Sequence, residues 1–286
     1  MIIDSHAHYA HPRFEVEAPY LLEQKDGYAV SRADRDGLLD EMQRNEIVGV
    51  IEPSIGLDGI EKQLALASKQ KPRVWLALGV HPTRCIRTAW AKRKTLEKYT
   101  EENAPVAIGE TGLDYHYPRH QQRRWRQKRW FVHQIKLADR LRLPLILHIR
   151  ASDWDALRIL RRYRARLHGG VVHCFTGDHL LAKQYVALGF AVGIGGKLLA
   201  KNEQAKALAD TVRHIPLCHL LVETDAPFVL PDTEDLPLGK NQRKKLCNSS
   251  LILPSVIRRI AELRGEPYET VEEMLYQNTV RIFHLE

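Results

Sequence analysis

The chain has 286 residues, 44% of them apolar and 27% charged, a balance that excludes a disordered or fibrous polypeptide and supports one sizeable buried core. Lysine and arginine number 43 against 35 acidic residues, a formal charge of +8, which tilts the expected partners toward anions such as nucleic acid. No apolar run approaches the roughly 20 residues that cross a bilayer; the four cysteines, Cys85, Cys174, Cys218 and Cys247, lack CxxC spacing and no signal peptide is recognisable, so a cytoplasmic protein with no membrane association is expected.

In chain order, eight short β-branched runs bounded by Gly, Pro or charge alternate with longer stretches of helical spacing. The strands are expected at 2–5, 47–53, 74–80, 105–109, 145–149, 170–175, 190–194 and 220–224. Helices are expected at 32–45, 58–70, 89–103, 121–142, 152–165, 178–188, 201–213 and 254–264, with a further one at 268–283 closing the chain. Pro254 suits a first helical turn, and Gly265 follows where a left-handed stop is needed. Eight alternating pairs point to a closed α/β barrel, a (β/α)8 TIM barrel, rather than an open doubly wound sheet. No composition break marks a linker, so 1–286 is expected to be a single domain. Two long connections, 9–30 and 226–247, leave strand ends on the side where such barrels bind substrate.

The polar groups fall at those same ends. The opening segment IIDSHAHYAHP puts Asp4, His6 and His8 on one face by strand alternation, so two imidazoles two residues apart can converge on one cation. His81 ends the third strand, Glu110 the fourth, His148 and Arg150 the fifth, His173 the sixth, and Glu223 with Asp225 the eighth. Any one of these is ordinarily a helix cap or a satisfied buried group. Repetition at equivalent places in an eightfold pattern is not, and it gathers the groups at the mouth of the barrel. Nitrogen donors mixed with carboxylates suit zinc, manganese, iron or nickel better than calcium, and magnesium suits a hydrated, carboxylate-rich position. Four histidines and two acids exceed one tetrahedral site, so two divalent ions sharing a carboxylate are expected.

The motifs DSHAH, GETGLDYH, LILHIR, HCFTG and LVETDAP, in this order, together with the GIGGK strand, resemble the TatD family of metal-dependent hydrolases within the amidohydrolase-like barrels. The resemblance covers most of the chain. It implies the barrel fold and a dinuclear site in which His6, His8 and Asp225 hold one ion, His148 and His173 the other, and Glu110 bridges them. It also implies an enzyme acting on ester bonds, most often a deoxyribonuclease working from a strand end; some relatives are linked to removing D-amino acids from tRNA. Two features depart from the family pattern. The 9–30 segment is longer than usual and lacks an acidic pair after the first motif, and CNSS, Cys247 to Ser250, stands where many members carry Asn-Glu-Pro.

The chemistry expected of such a centre is hydrolysis by a water whose pKa falls to about 7 between two ions. Asp225 is the candidate proton acceptor, Glu110 the shared carboxylate, His81 and Arg150 the groups that bind remaining phosphate charge, and Glu223 a positioning or substrate-binding residue. Three functions compete: a phosphodiesterase or DNase; a hydrolase of another ester or amide bond; and a non-catalytic nucleic-acid binder, against which the complete ligand set speaks. The basic stretch RHQQRRWRQKRW, Arg119 to Trp130, could stack or steer a nucleic acid strand. Trp130, Phe131, Gln134, Leu137 and Ala138 form a helical stripe, however, so its arginines are expected mainly to decorate a solvent face.

Overall fold

The structure is a computed structural model that describes residues 1–24, 27–68, 72–231 and 238–285. Its strands in chain order are β1 (Ile2–Asp4), β2 (Ala18–Gln24), β3 (Gly27–Ala33), β4 (Ile47–Pro53), β5 (Arg73–Leu78), β6 (Ala107–Asp114), β7 (Leu145–Arg150), β8 (Gly170–Val172), β9 (Phe190–Ile194) and β10 (Leu220–Val222). Its helices are α1 (Arg35–Arg44), α2 (Ile60–Ala67), α3 (Pro82–Cys85), α4 (Arg93–Asn103), α5 (Pro118–Gln121), α6 (Arg124–Leu141), α7 (Asp153–Arg162), α8 (His179–Val186), α9 (Glu203–His214), α10 (Lys240–Lys245), α11 (Leu253–Arg264) and α12 (Tyr268–Phe283).

Eight strands pair in parallel in the order β1-β4-β5-β6-β7-β8-β9-β10. Beyond the ladder the first and last strands meet through backbone bonds from Ser5 N–H to the Val222 carbonyl (3.0 Å) and from Asp225 N–H to the His6 carbonyl (2.9 Å), and the sheet is a (β/α)8 barrel. Ile3, Ile51, Ala77, Ala107, Ile146, Val171, Ala191 and Leu221, one from each barrel strand, form the interior cluster, with Phe283 and Leu285 from the chain's end packed onto it. A second and larger cluster lies between strands and helices. The stripe on α6 is buried as the spacing predicts, with Gln127 and Ile135 added to it. Gly265 ends α11 at φ 64°, the left-handed stop that glycine adopts without strain.

Three differences from the sequence reading bear on function. The 9–30 connection is no plain loop: β2 and β3 form an antiparallel hairpin registered from Ala18 opposite Ala33 to Gln24 opposite Gly27. The helix expected from residue 32 accordingly starts at Arg35, capped by the Asp34 carboxylate on Gly37 N–H. The fourth barrel strand, expected to stop at residue 109, continues to Asp114, with an irregular register against β7 between Ile108 and Thr111. Such a shift re-aims a side chain, and it falls at Glu110. The sixth and eighth strands stop at Val172 and Val222, so His173, Glu223 and Asp225 stand beyond the ladder, where backbone direction is set by loops. Part of three expected segments, 25–26 in the first long connection, 69–70 in the second helix and 232–237 in the long last connection, lies outside the described residues.

Candidate metal centre

The first ligand group is built by the chain just past β1. His6 Nε2 and His8 Nε2 lie 3.3 Å apart. Glu110 Oε1 is 3.3 Å from the first and 3.1 Å from the second, and Asp225 Oδ1 is 3.7 and 3.4 Å from them. Asp225 sits at φ 56°, a left-handed conformation that aspartate tolerates better than most residues. Its N–H bond to the His6 carbonyl holds the turn that aims the carboxylate inward.

The second group uses the other oxygen of the same glutamate. Glu110 Oε2 is 3.3 Å from His173 Nε2, 3.4 Å from His148 Nδ1 and 3.4 Å from His81 Nε2, while His148 Nδ1 and His173 Nε2 approach to 3.1 Å. Ligand atoms on one cation with bonds of about 2.0–2.1 Å are separated by about 3.0–3.4 Å. The donor atoms are spaced closely enough to be ligands of a metal, and their chemistry fits a divalent ion.

Electrostatics favour the same occupant. Burial pushes the Glu110 carboxyl up, but His173, His6 and His81 outweigh it and hold the group well below the usual carboxylate range. Burial opposes charge on His8, yet Asp225 and Glu110 raise its pKa well above the ordinary value. A buried pair of carboxylates thus draws positive charge to this point, and protons compete with metal for it.

His148 and His81 differ in the nitrogen they present. His148 Nε2 lies 3.3 Å from Asp114 Oδ2, so it carries the proton and leaves Nδ1 free to face Glu110 and His173, the carboxylate–imidazole arrangement that orients a metal-binding histidine. Asp114 is itself fixed by His116 N–H at 2.9 Å and His120 Nδ1 at 3.2 Å. In His81 the Thr83 N–H donates to Nδ1 at 3.1 Å, which puts the proton on Nε2. Burial lowers its pKa to about 3, so the ring is a neutral donor, suited to an oxygen of a substrate.

Glu223 is 1% exposed. Its Oε1 accepts the Cys174 N–H, lies 3.9 Å from His173 Nδ1, and leaves Oε2 without a hydrogen-bond partner. It stands behind His173 rather than at the surface, and burial pushes its pKa well above normal. Asp4 does not join His6 and His8 despite the shared parity, because the strand ends at Asp4. Its carboxylate accepts from His6 N–H, Thr224 N–H, Thr224 Oγ1 and Ser250 Oγ. Tyr9 Oη lies 2.8 Å from Ser250 Oγ, Asn248 donates to the Thr224 carbonyl, and Ser249 donates to the Leu21 carbonyl. The CNSS segment is thus the clasp that ties the ligand-bearing ends of β1 and β10 to the hairpin.

Asp114, His120 and the Asp4–Ser250 network were not singled out by sequence reasoning. Asp114 lies within GETGLDYH, four residues after Glu110, and the expected stop at 109 concealed its place at the strand's end. A separate group, His179, Asp210 and His214, lies on the outer helices α8 and α9. Its contacts of 2.5 and 3.1 Å join two imidazoles to one carboxylate, and the group is only partly buried.

Two clefts open onto the centre. One of about 420 Å³ is lined by His81, His148, Asp114, Tyr117, Arg119 and Arg150 among others. The other, of about 350 Å³, holds His8, His11, Glu52 and Lys62 and shares Ile55 and Arg84 with the first. Arg150 is exposed at the end of β7 and faces the larger cleft.

A barrel of this kind with imidazoles and carboxylates converging at its C-terminal mouth defines the class of metal-dependent hydrolases. A sequence profile described as "TatD related DNase" matches residues 3–284, and the chain belongs to that family. It is 33% identical over 221 residues to "Uncharacterized metal-dependent hydrolase YcfH" of Escherichia coli, covering 76% of each chain. It is 31% identical over 255 residues to "3'-5' ssDNA/RNA exonuclease TatD" of Pantoea vagans, covering 88% of this chain and 94% of that one. The crystal structure of the E. coli TatD homologue YjjV superposes with a TM-score of 0.79 at 28% identity, over 100% of this chain and 98% of that one. The chain is a TatD-family metal-dependent hydrolase. Among the described residues no helix is long and apolar enough to cross a membrane.

Proposed function

We propose that this chain is a two-ion phosphodiesterase that hydrolyses nucleic acid strands from an end, the whole of it working as one barrel domain. The observation that carries this is the division of Glu110 between two imidazole groups, Oε1 toward His6 and His8 and Oε2 toward His148 and His173. In this reading His6, His8 and Asp225 hold one ion, His148 and His173 the second, and Glu110 both. Bound divalent ions, whether zinc, manganese or magnesium, supply a polarised water and neutralise charge on a phosphoryl oxygen.

The chain's own groups supply the remainder. Burial pushes the Asp225 carboxyl up, but His8 and His6 hold it below its ordinary pKa, so it is ionised at neutral pH and accepts the proton of the attacking water. His81 Nε2–H donates to a non-bridging phosphate oxygen, and Arg150 adds charge at the cleft's outer edge. Asp114 keeps His148 in the tautomer that leaves Nδ1 free, and Glu223 braces the Cys174 turn beside His173. Nucleic acid as the substrate is supported by the formal charge of +8, by Arg84, Arg87, Arg119 and Arg150 lining the cleft beside His81 and His148, and by relatives named as single-strand exonucleases.

The test uses purified protein on 5′-end-labelled single-stranded DNA and on a panel of generic esters, with manganese or magnesium and with chelator. The expected result is progressive shortening of the labelled strand that chelator abolishes. Ester turnover with intact DNA would overturn the phosphodiesterase assignment, and shortening insensitive to chelator would overturn the metal's part in it.

A further inference from the structure

An exposed tryptophan or tyrosine ring offers a flat π-face on which another ring can stack. At the rim beside β6 and β7 three do: Tyr117 is 47%, Trp125 59% and Trp154 74% exposed. Each has an arginine on its ring, with Arg119 at 5.8 Å from the Tyr117 centroid, Arg126 at 5.5 Å from Trp125 and Arg158 at 4.9 Å from Trp154. None of the three aromatics is needed for the core, since the buried stripe of α6 is supplied by other residues.

Their placement follows from the topology. Trp125 and Trp154 occupy the first turns of α6 and α7, and helices that follow barrel strands begin at the C-terminal mouth. Those first turns are fastened together. Asp155 accepts from Lys128 Nζ at 2.7 Å, Tyr115 Oη at 3.0 Å and Arg158 at 3.2 Å, and Arg124 lies 4.6 Å over the Tyr115 ring. The acids of this rim are thereby occupied, Asp155 as described and Asp153 by the Tyr185 hydroxyl at 2.9 Å. Tyr117 and Arg119 line the same cleft as His81 and His148, so this member of the group borders the metal centre, with Trp125 and Trp154 on the helix starts that follow.

We propose that Tyr117, Trp125 and Trp154 with their arginines form a stacking platform for a single-stranded nucleic acid, holding the part of the strand that lies outside the centre. The proposal rests on the nuclease reading and extends it to the form of the substrate. Bases in a single strand have free π-faces that stack on aromatic rings irrespective of sequence, while arginine meets the phosphates. In a duplex those faces are already covered. The platform therefore selects single strands long enough to reach from the cleft across the rim, and it is tolerant of sequence.

The test is fluorescence anisotropy with labelled phosphorothioate oligo(dT) of 3, 6 and 12 nucleotides, in the presence of the metal. Wild-type affinity is expected to rise more than about tenfold from the shortest to the longest strand, with W125A and W154A each losing at least about fivefold on the 12-mer alone and W125F and W154F retaining most of it. A 12-base-pair duplex is expected to bind no better than the 3-mer. An unchanged length dependence in the W125A/W154A double variant, with native far-ultraviolet circular dichroism, would overturn the platform. Metal-dependent turnover of bis(p-nitrophenyl) phosphate by the wild type separates the two ideas: its absence counts against the phosphodiesterase centre, whereas its presence beside an unchanged length dependence defeats the platform only.

Discussion

Glu110 shows how much one side chain's position decides. Each of its oxygens faces a different imidazole group, so Glu110→Gln removes the charge shared by both and turns one oxygen into an amide that offers no lone pair. Turnover is expected to fall about 10²-fold or more, as is that of Asp225→Asn through loss of the proton acceptor. Asp114→Asn behaves differently, because Asp114 meets His148 at the nitrogen facing away from Glu110. It is expected to weaken metal affinity about 10–100-fold and to leave activity recoverable at raised metal concentration. Metal titrations of the three variants distinguish these cases; an Asp114→Asn protein that no metal concentration rescues would place Asp114 in the reaction itself. The histidines and acids that meet here were legible in the sequence because each lies at or just past the expected end of a strand. His120 and Asp4 were not, since a residue that supports a ligand carries no signature of its own.

At the scale of the element, the ends of the strands carry the tension between ladder and loop. The sequence reading placed β9 at 190–194, as the structure does. At Gly193 a Cβ would stand 2.1 Å from Glu223 Oε2, a side chain with no space to retreat because it is buried and fixed to Cys174 N–H. Gly193→Ala is expected to destabilise the fold by about 1–3 kcal/mol, read as a lowered urea midpoint with an unchanged slope. A stability equal to wild type would show that Glu223 is free to move. The β2–β3 hairpin lay unread because Pro19 and Gly27 look like loop punctuation. The available signal was Asp26-Gly27 between alternating residues, a hairpin turn pattern. Through the bonds between Cys247 and β2, the hairpin fixes the CNSS segment that holds Asp4.

For the whole molecule, the buried cluster makes metal occupancy part of stability. An ion that binds only the folded chain adds about 2.7 kcal/mol at a concentration 100 times its Kd, which for a chain of this size raises the melting temperature by about 4–5 °C. Chelator-treated protein is expected to melt that much lower than protein with manganese or zinc restored, and the gain should shrink in Glu110→Gln. Calorimetry showing no difference between the two forms would mean that the donor atoms do not hold an ion.

Periodicity and spacing in the sequence determined the barrel, the eight alternating units and the set of groups at the strand ends, because those are local properties of short segments repeated along the chain. Only the tertiary structure decided which oxygen of Glu110 serves which imidazoles, that His81 presents a proton where His148 presents a lone pair, and that Asp4 turns away from the histidines beside it. The orientation of Asp4 depends on hydrogen bonds to residues more than two hundred positions away, Thr224 and Ser250, and the division of Glu110 on contacts with His6, His148 and His173 from other strands. Closure of the sheet creates such neighbours, and no local pattern encodes them.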